Sequence, residues 1–360
     1  MAERDWREIM WRCERWLGQR RPARASELLN AAAAALPPDA WPDSYGEGEF
    51  VESFERRIAE LLGTPAAALF PSGTMAQQIA LRIHCDRRGV STVAFHPTCH
   101  LELHEHGGYA HLHGLKAELI GDRDRLITLE DLGAIHVPVG ALLIELPQRE
   151  IGGRLPEWED LLAQAQWARE RDVATHLDGA RIWEATPYYD RPSSEIAALF
   201  DTVYVSLYKG LGGIAGSVLA GPDRIIAETR VWRRRHGGSL SSLFPFAASA
   251  QRGLDELIPQ MPRFLAHARA VAAALSQINE IDIVPNPPQT PLFHIHLRGD
   301  LQTLHERALD VAEERRVWLF HRIAPSVVPN VNIVELNIGE PGLEVSPDEA
   351  AELFELVVSA

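Results

Sequence analysis

Apolar residues at Trp6, Ile9, Met10, Cys13 and Trp16 recur at helical spacing and predict an amphipathic helix over 4–18. A Pro- and Ala-rich connection follows, with an Ala-rich helical run around 30–35. It leads through LPPDAWPDSYGEGEF to a helix over 50–63 that ends at Gly63. Short apolar runs then alternate with helical ones. AAALF (66–70), TVAFH (92–96), AELI (117–120), GALLIEL (140–146), DVATHLD (172–178), TVYVSLY (202–208) and GSVLAG (216–221) read as strands. Helical segments lie between several of them, after Ser72 and over 156–171. Such alternation predicts an α/β fold with a mostly parallel sheet covered on both faces. A long helical stretch over 222–277 leads to FHIHL (293–297), a helix near 301–315, VWLF, NIVELNIG and a closing helix at 346–358, which together read as a smaller α+β domain. The divisions expected are an N-terminal helical arm at 1–40, a large domain at 41–255 and a small C-terminal domain at 256–360.

Composition narrows the partners more than the fold. With 360 residues and 46% hydrophobic residues the chain is long and apolar enough for a large core. A net charge of −15 argues against nucleic acid or an anionic membrane as the main partner. Cys13, Cys85 and Cys99 show no CxxC spacing and fit a reducing compartment. The first twenty residues lack the apolar core of a signal peptide, and no run approaches the length of a membrane span. The expectation is a cytoplasmic protein.

Four stretches carry candidate chemistry. In SLYKGLGGIAGSVLAG (206–221), Lys209 follows an apolar strand and precedes four closely spaced glycines. A lysine there suits covalent attachment of an aldehyde cofactor. The same glycines formally match the G-x-G-x-x-A dinucleotide fingerprint, but that needs a helix next, and GSVLAG reads as a strand. FPSGTMAQQIAL (70–81) places Ser72, Gly73 and Thr74 at a helix N-terminus, suited either to a phosphate or to ordinary capping. In HLDGAR (176–181), Asp178 is placed to hold a proton on a pyridine nitrogen, and Arg181 to reach a ring hydroxyl or a substrate carboxylate. A buried Asp–Arg pair closing the turn is the structural alternative. Six histidines crowd into 96–114, yet they lack the H-E-x-x-H pattern or a cysteine pair, so a metal site is not expected; one histidine against a cofactor ring is the better use.

In order and spacing these motifs resemble the threonine aldolase and β-eliminating lyase branch of the fold type I, aspartate-aminotransferase-like enzymes that use pyridoxal 5′-phosphate (PLP). The matching elements are SGT before a helix, H-x-x-x-x-E-x-G-G (His100 to Gly108), E-L-P-Q…GG (145–153), HLDGAR, and S-L-x-K-G-L-G…GSVLAG. YGEGEFVESFERRIAELLG (45–63) adds to the likeness, which is good over about 41–250. It implies a PLP-binding large domain and a lyase that cleaves a β-hydroxy-α-amino acid to glycine and an aldehyde, as a homodimer or homotetramer. By position, Lys209 would bond the cofactor, Asp178 pair its pyridine nitrogen and His100 stack on its ring. His100 would also be the first candidate base. Ser72, Gly73, Thr74 and Ser206 would take the phosphate. Arg181, Gln148 and Tyr45 would meet the substrate, with Tyr45 and arginines of RVWRRRHGG (230–238) reaching across a subunit interface.

Departures from the pattern keep other outcomes open. The N-terminal S-D-T-x-T strand is not visible, Ser241–Ser242 replace an R-Q pair, and Glu335 stands near an expected arginine that Arg322 would have to replace. β-Elimination or racemisation on the same scaffold, or a binding protein with little turnover, therefore remain alternatives. A bulkier substrate than threonine would suit the altered clamp.

Overall fold

The computed structural model describes residues 4–359. Two compact units account for them. One holds the residues up to Arg24, Gly152–Arg154 and those from Pro259 onward; the other holds Ala25–Ile151 and Leu155–Ile258. The segment expected as an arm is thus shared between them. Its second half forms the helix Ala25–Ala34, which packs on the helix Phe244–Arg252 of the larger unit.

The larger unit is built on seven strands: β1 (Ala66–Phe70), β2 (Thr92–Phe95), β3 (Lys116–Leu119), β4 (Ala141–Glu145), β5 (Ala174–Asp178), β6 (Thr202–Ser206) and β7 (Ser217–Gly221). Their order is β1-β7-β6-β5-β4-β2-β3. The run from β6 through β3 is parallel, whereas β7 is antiparallel to both neighbours. Every residue of β5, β6 and β7 is buried, as a sheet covered on both faces requires. The helix Gly73–Arg88 covers one face, seating Ala76, Ile79, Ala80 and Ile83 against Ala68, Phe70, Tyr204 and Leu219.

Four strands stop short of the apolar runs that predict them. β2 ends before His96, β3 before Ile120, β4 before Leu146 and β6 before Leu207. In parallel sheets the chain leaves the C-terminal edge in loops that form ligand sites. The apolar pattern continues into those loops because they too are buried.

In the smaller unit the helix expected over 4–18 covers only Trp6–Arg12. Cys13 turns extended, and Arg15–Trp16 pair in parallel with Val317–Trp318. One more turn of a short helix would add little, whereas Trp16 at this position packs with Leu309, Ala312 and Trp318. Four antiparallel strands follow: β8 (Ile281–Val284), β9 (Leu292–Arg298), β10 (Ile323–Pro325) and β11 (Val331–Asn337), ordered β10-β11-β9-β8. Phe293, Ile295, Leu297, Val334, Leu336 and Phe354 share its core. Among the described residues no helix is long and apolar enough to cross a membrane.

Candidate active site

Adjacent parallel strands β4 and β5 end in register on two acids, Glu145 beside Asp178. Asp178 is buried; its Oδ1 accepts from the Ala180 N–H at 3.1 Å, and the Gln77 side chain hydrogen-bonds it. Burial pushes the Asp178 carboxyl up, while His100, the Ala180 N–H and Gln77 pull the other way. Glu145 is pushed up to about 8, first by burial and then by the Asp178 charge. It accepts from the Arg149 N–H at 3.1 Å.

The loop leaving β6 brings Lys209 to the same cavity. Thr74, Gln77, His100, Glu105, Asp178 and Arg181 line it with Tyr204, Tyr208 and Lys209. Glu145, Leu146, Pro147, Arg149 and Ala180 complete the lining. The Lys209 ammonium lies 5.0 Å from the Tyr208 ring centroid. Ser206, the last residue of β6, is buried.

A helix N-terminus opens beside these groups. Ser72 is its N-cap in extended backbone, but the Ser72 hydroxyl makes no capping bond, so it and the first N–H groups are available to an anion. Glycine is needed at 73, since a Cβ there would lie 2.2 Å from the Tyr204 hydroxyl on a buried ring.

His100 begins the short helix His100–Leu103. Its Nδ1 lies 3.1 Å from Glu105 Oε1, and the other Glu105 oxygen accepts from Gln78 Nε2 at 2.8 Å. Hydrogen bonding to Glu105 raises the His100 pKa against the lowering effect of burial. The remaining histidines of this segment disperse: His96 bonds Thr98 and backbone carbonyls, His104 bonds Glu150, and His113 stacks on His236. Arg181 is nearly buried; its Nε lies 3.9 Å from Glu184 and has no hydrogen-bond partner among the described residues.

Lys209, His100, Asp178, Thr74 and Arg181 therefore meet around one cavity, with Ser72 and Gly73 at the adjoining helix start. Gln148 turns aside: its buried amide donates to Thr98 Oγ1 at 3.3 Å and Glu145 Oε2 at 3.4 Å, and Arg149 lines the cavity instead. Tyr45 is exposed, at φ 56° in the Ser44–Glu47 turn. The arginines expected to reach a second subunit include two that are engaged within this chain. Arg230 pairs with Glu55, and Arg233 donates to the carbonyls of Leu69 and Tyr45. Ser242 donates to the Asp43 carbonyl, while the Asp43 carboxylate accepts from the N–H groups of Leu243 and Phe244. Glu335 pairs across the strands with His294. Sequence reasoning missed Gln77, Glu105, Glu145, Arg149 and Tyr204. Glu105 and Glu145 stood inside motifs already singled out, as the acids of H-x-x-x-x-E-x-G-G and E-L-P-Q, and Gln77 lay within FPSGTMAQQIAL.

The beta-eliminating lyase family model matches residues 24–298. A probable low-specificity L-threonine aldolase 2 of Arabidopsis thaliana is 27% identical over 299 residues, covering 80% of this chain and 83% of that protein. A low specificity L-threonine aldolase of Escherichia coli O157:H7 is 32% identical over 247 residues, covering 67% and 72%. A crystal structure of a candidate L-allo-threonine aldolase from Listeria monocytogenes superposes with a TM-score of 0.93 at 36% identity, covering 97% of both chains.

Proposed function

The chain belongs to the beta-eliminating lyase family, and from that premise we propose that it is a PLP-dependent carbon–carbon lyase. It cleaves a threonine-like β-hydroxy-α-amino acid to glycine and an aldehyde. The observation that carries this reading is the convergence of Lys209, a buried Asp178 and a helix N-terminus on one cavity.

The residues present fit PLP. Ser72, Gly73 and Thr74 offer hydroxyls and N–H groups to its phosphate, and the glycine keeps that approach open beside Tyr204. Lys209 supplies the amine that bonds its aldehyde, and Asp178 a desolvated carboxylate for its ring nitrogen. When bound, the cofactor supplies an electron sink for the bond broken at the substrate α-carbon. Around it, the protein orients and moves protons. Asp178 keeps the ring nitrogen protonated. Arg181 holds the substrate carboxylate, fixing which bond is broken. His100 takes the proton from the β-hydroxyl as the carbon–carbon bond opens. In this reading the chain works in the cytoplasm, where three buried free cysteines are stable, as a homodimer or homotetramer.

Borohydride reduction followed by peptide mapping tests it. A pyridoxyl group on Lys209 is expected, with glycine and acetaldehyde released from threonine by the unreduced enzyme. Asp178→Asn should retain cofactor and lose turnover by orders of magnitude, because the electron sink weakens. A label on another lysine, or none, overturns the assignment.

A further inference from the structure

His100 is given a partner whose chemistry fixes its state. The Glu105 side chain is fully inaccessible to solvent, and one of its oxygens lies 3.1 Å from His100 Nδ1. A carboxylate only accepts, so Nδ1 must carry the hydrogen. In the neutral ring the lone pair then sits on Nε2. The second Glu105 oxygen is occupied by the Gln78 amide at 2.8 Å. That arrangement depends on Gly108, where a Cβ would fall 2.4 Å from Gln78 Nε2.

We propose that Glu105 is a positioning residue that holds His100 in the Nδ1–H form and so presents Nε2 as the base for the β-hydroxyl proton. Gln78 and Gly108 keep that carboxylate in place. The proposal rests on the reading of this cavity as a lyase site.

Other charges also face His100. Asp178 at the end of β5 acts on it in the same sense as Glu105, and Glu145 at the end of β4 does so where it is ionised. His104, on its own segment, lies with its ring 5.1 Å away, and Lys209 and Arg181 stand across the cavity. Glu105 differs from all of these in touching Nδ1.

Glu105→Gln isolates the charge. Its amide oxygen can still accept from Nδ1–H, and the Gln78 amide can turn over to meet the new NH2 group. Histidine-selective 13C/15N NMR of the full-length protein, with His100→Asn as the assignment control, reads tautomer and titration without substrate. The Nδ1–H tautomer is expected in the wild type. In Glu105→Gln the His100 pKa should fall by about one unit or more, since a contacting opposite charge shifts a pKa by ~1–3 units. The acidic limb of the kcat/KM profile should move to lower pH by the same amount, with kcat reduced and KM little changed. Gly108→Ala, which displaces Gln78 and leaves Glu105 chemically intact, should shift His100 in the same direction by less. An Nε2–H tautomer in the wild type, or an unmoved His100 titration in Glu105→Gln, overturns the proposal. A shifted titration in a protein that releases no aldehyde leaves the coupling standing and removes the lyase reading instead.

Discussion

Glu145 and Asp178 sit side by side, in register at the C-terminal ends of β4 and β5, so two desolvated carboxyls share the floor of one cavity. Two neighbouring acids in such a place cannot both ionise cheaply. The surroundings divide them. Asp178 has His100, the Ala180 N–H and Gln77 to favour its charge, whereas Glu145, at about 8, keeps its proton through neutral pH. Burial raises the Asp178 carboxyl too, but its partners make it the better placed of the two to carry charge opposite a protonated ring nitrogen.

A pH-dependent stability follows. Glu145 binds its proton more tightly folded, at about 8, than unfolded, near the ordinary glutamate value of 4.5. A raised acid holds more protons in the native state, so stability is greatest below the unfolded pKa and falls as pH rises toward the folded one. Glu145→Gln removes that loss. In cofactor-free protein the variant should equal or trail the wild type at pH 5 and exceed it at pH 8, by ~1–3 kcal/mol. Thermal unfolding at both pH values measures this. Parallel behaviour of the two proteins across the range would show that Glu145 is ionised throughout.

Gly73 gives a second expectation. Its missing Cβ leaves room for the Tyr204 hydroxyl, and an added methyl would overlap it at 2.2 Å. Tyr204 is a buried ring in the core, unable to swing away. Gly73→Ala should therefore displace the helix start by a few tenths of an ångström or more, at about 1–3 kcal/mol of overpacking. The measured result should be weaker PLP affinity with a smaller loss of kcat at saturating cofactor. Gly73→Ala/Tyr204→Phe, which removes the overlapping oxygen, should recover part of the affinity; no recovery would place the cause elsewhere.

Much of the larger unit was legible because its central strands are buried on both faces and carry apolar-rich cores, such as VYV in β6 and VLAG in β7. Lys209 and Asp178 were legible because a lysine among glycines and an acid ending an apolar strand are both unusual locally. Strand ends were not, since His96, Leu146 and Leu207 are buried in loops and extend the same pattern. Glu105 and Glu145 stand in quoted motifs, but their roles were not legible, because only the fold brings Gln78 to one and Asp178 to the other. Gly152–Arg154, mid-chain residues that belong with the C-terminal unit, carry no local signal of that destination.

Arg181 bears on substrate choice. Its guanidinium is nearly buried, keeps a distant ionic neighbour in Glu184 at 3.9 Å, and has an Nε with no hydrogen-bond partner among the described residues. A buried donor left unmade is costly, and a substrate carboxylate accepting two parallel hydrogen bonds would satisfy it. The strand position where an arginine was expected carries Glu335, opposite His294, so the burden on Arg181 is greater. Arg181→Lys keeps the charge and loses the planar fork. One charge-assisted hydrogen bond lost is about 1.5–3 kcal/mol, or roughly ten- to a hundredfold in affinity. That loss should appear in KM more than in kcat, for every amino acid substrate alike. The side-chain preference is a separate matter: Tyr204 and Tyr208 line the cavity, so phenylserine should be cleaved with a higher kcat/KM than threonine or allo-threonine. Aldehyde release from all three, in both stereochemical series and in both proteins, separates the two effects. An unchanged KM in Arg181→Lys would mean that another cation holds the carboxylate, and pyruvate from serine without aldehyde from threonine would move the enzyme to elimination.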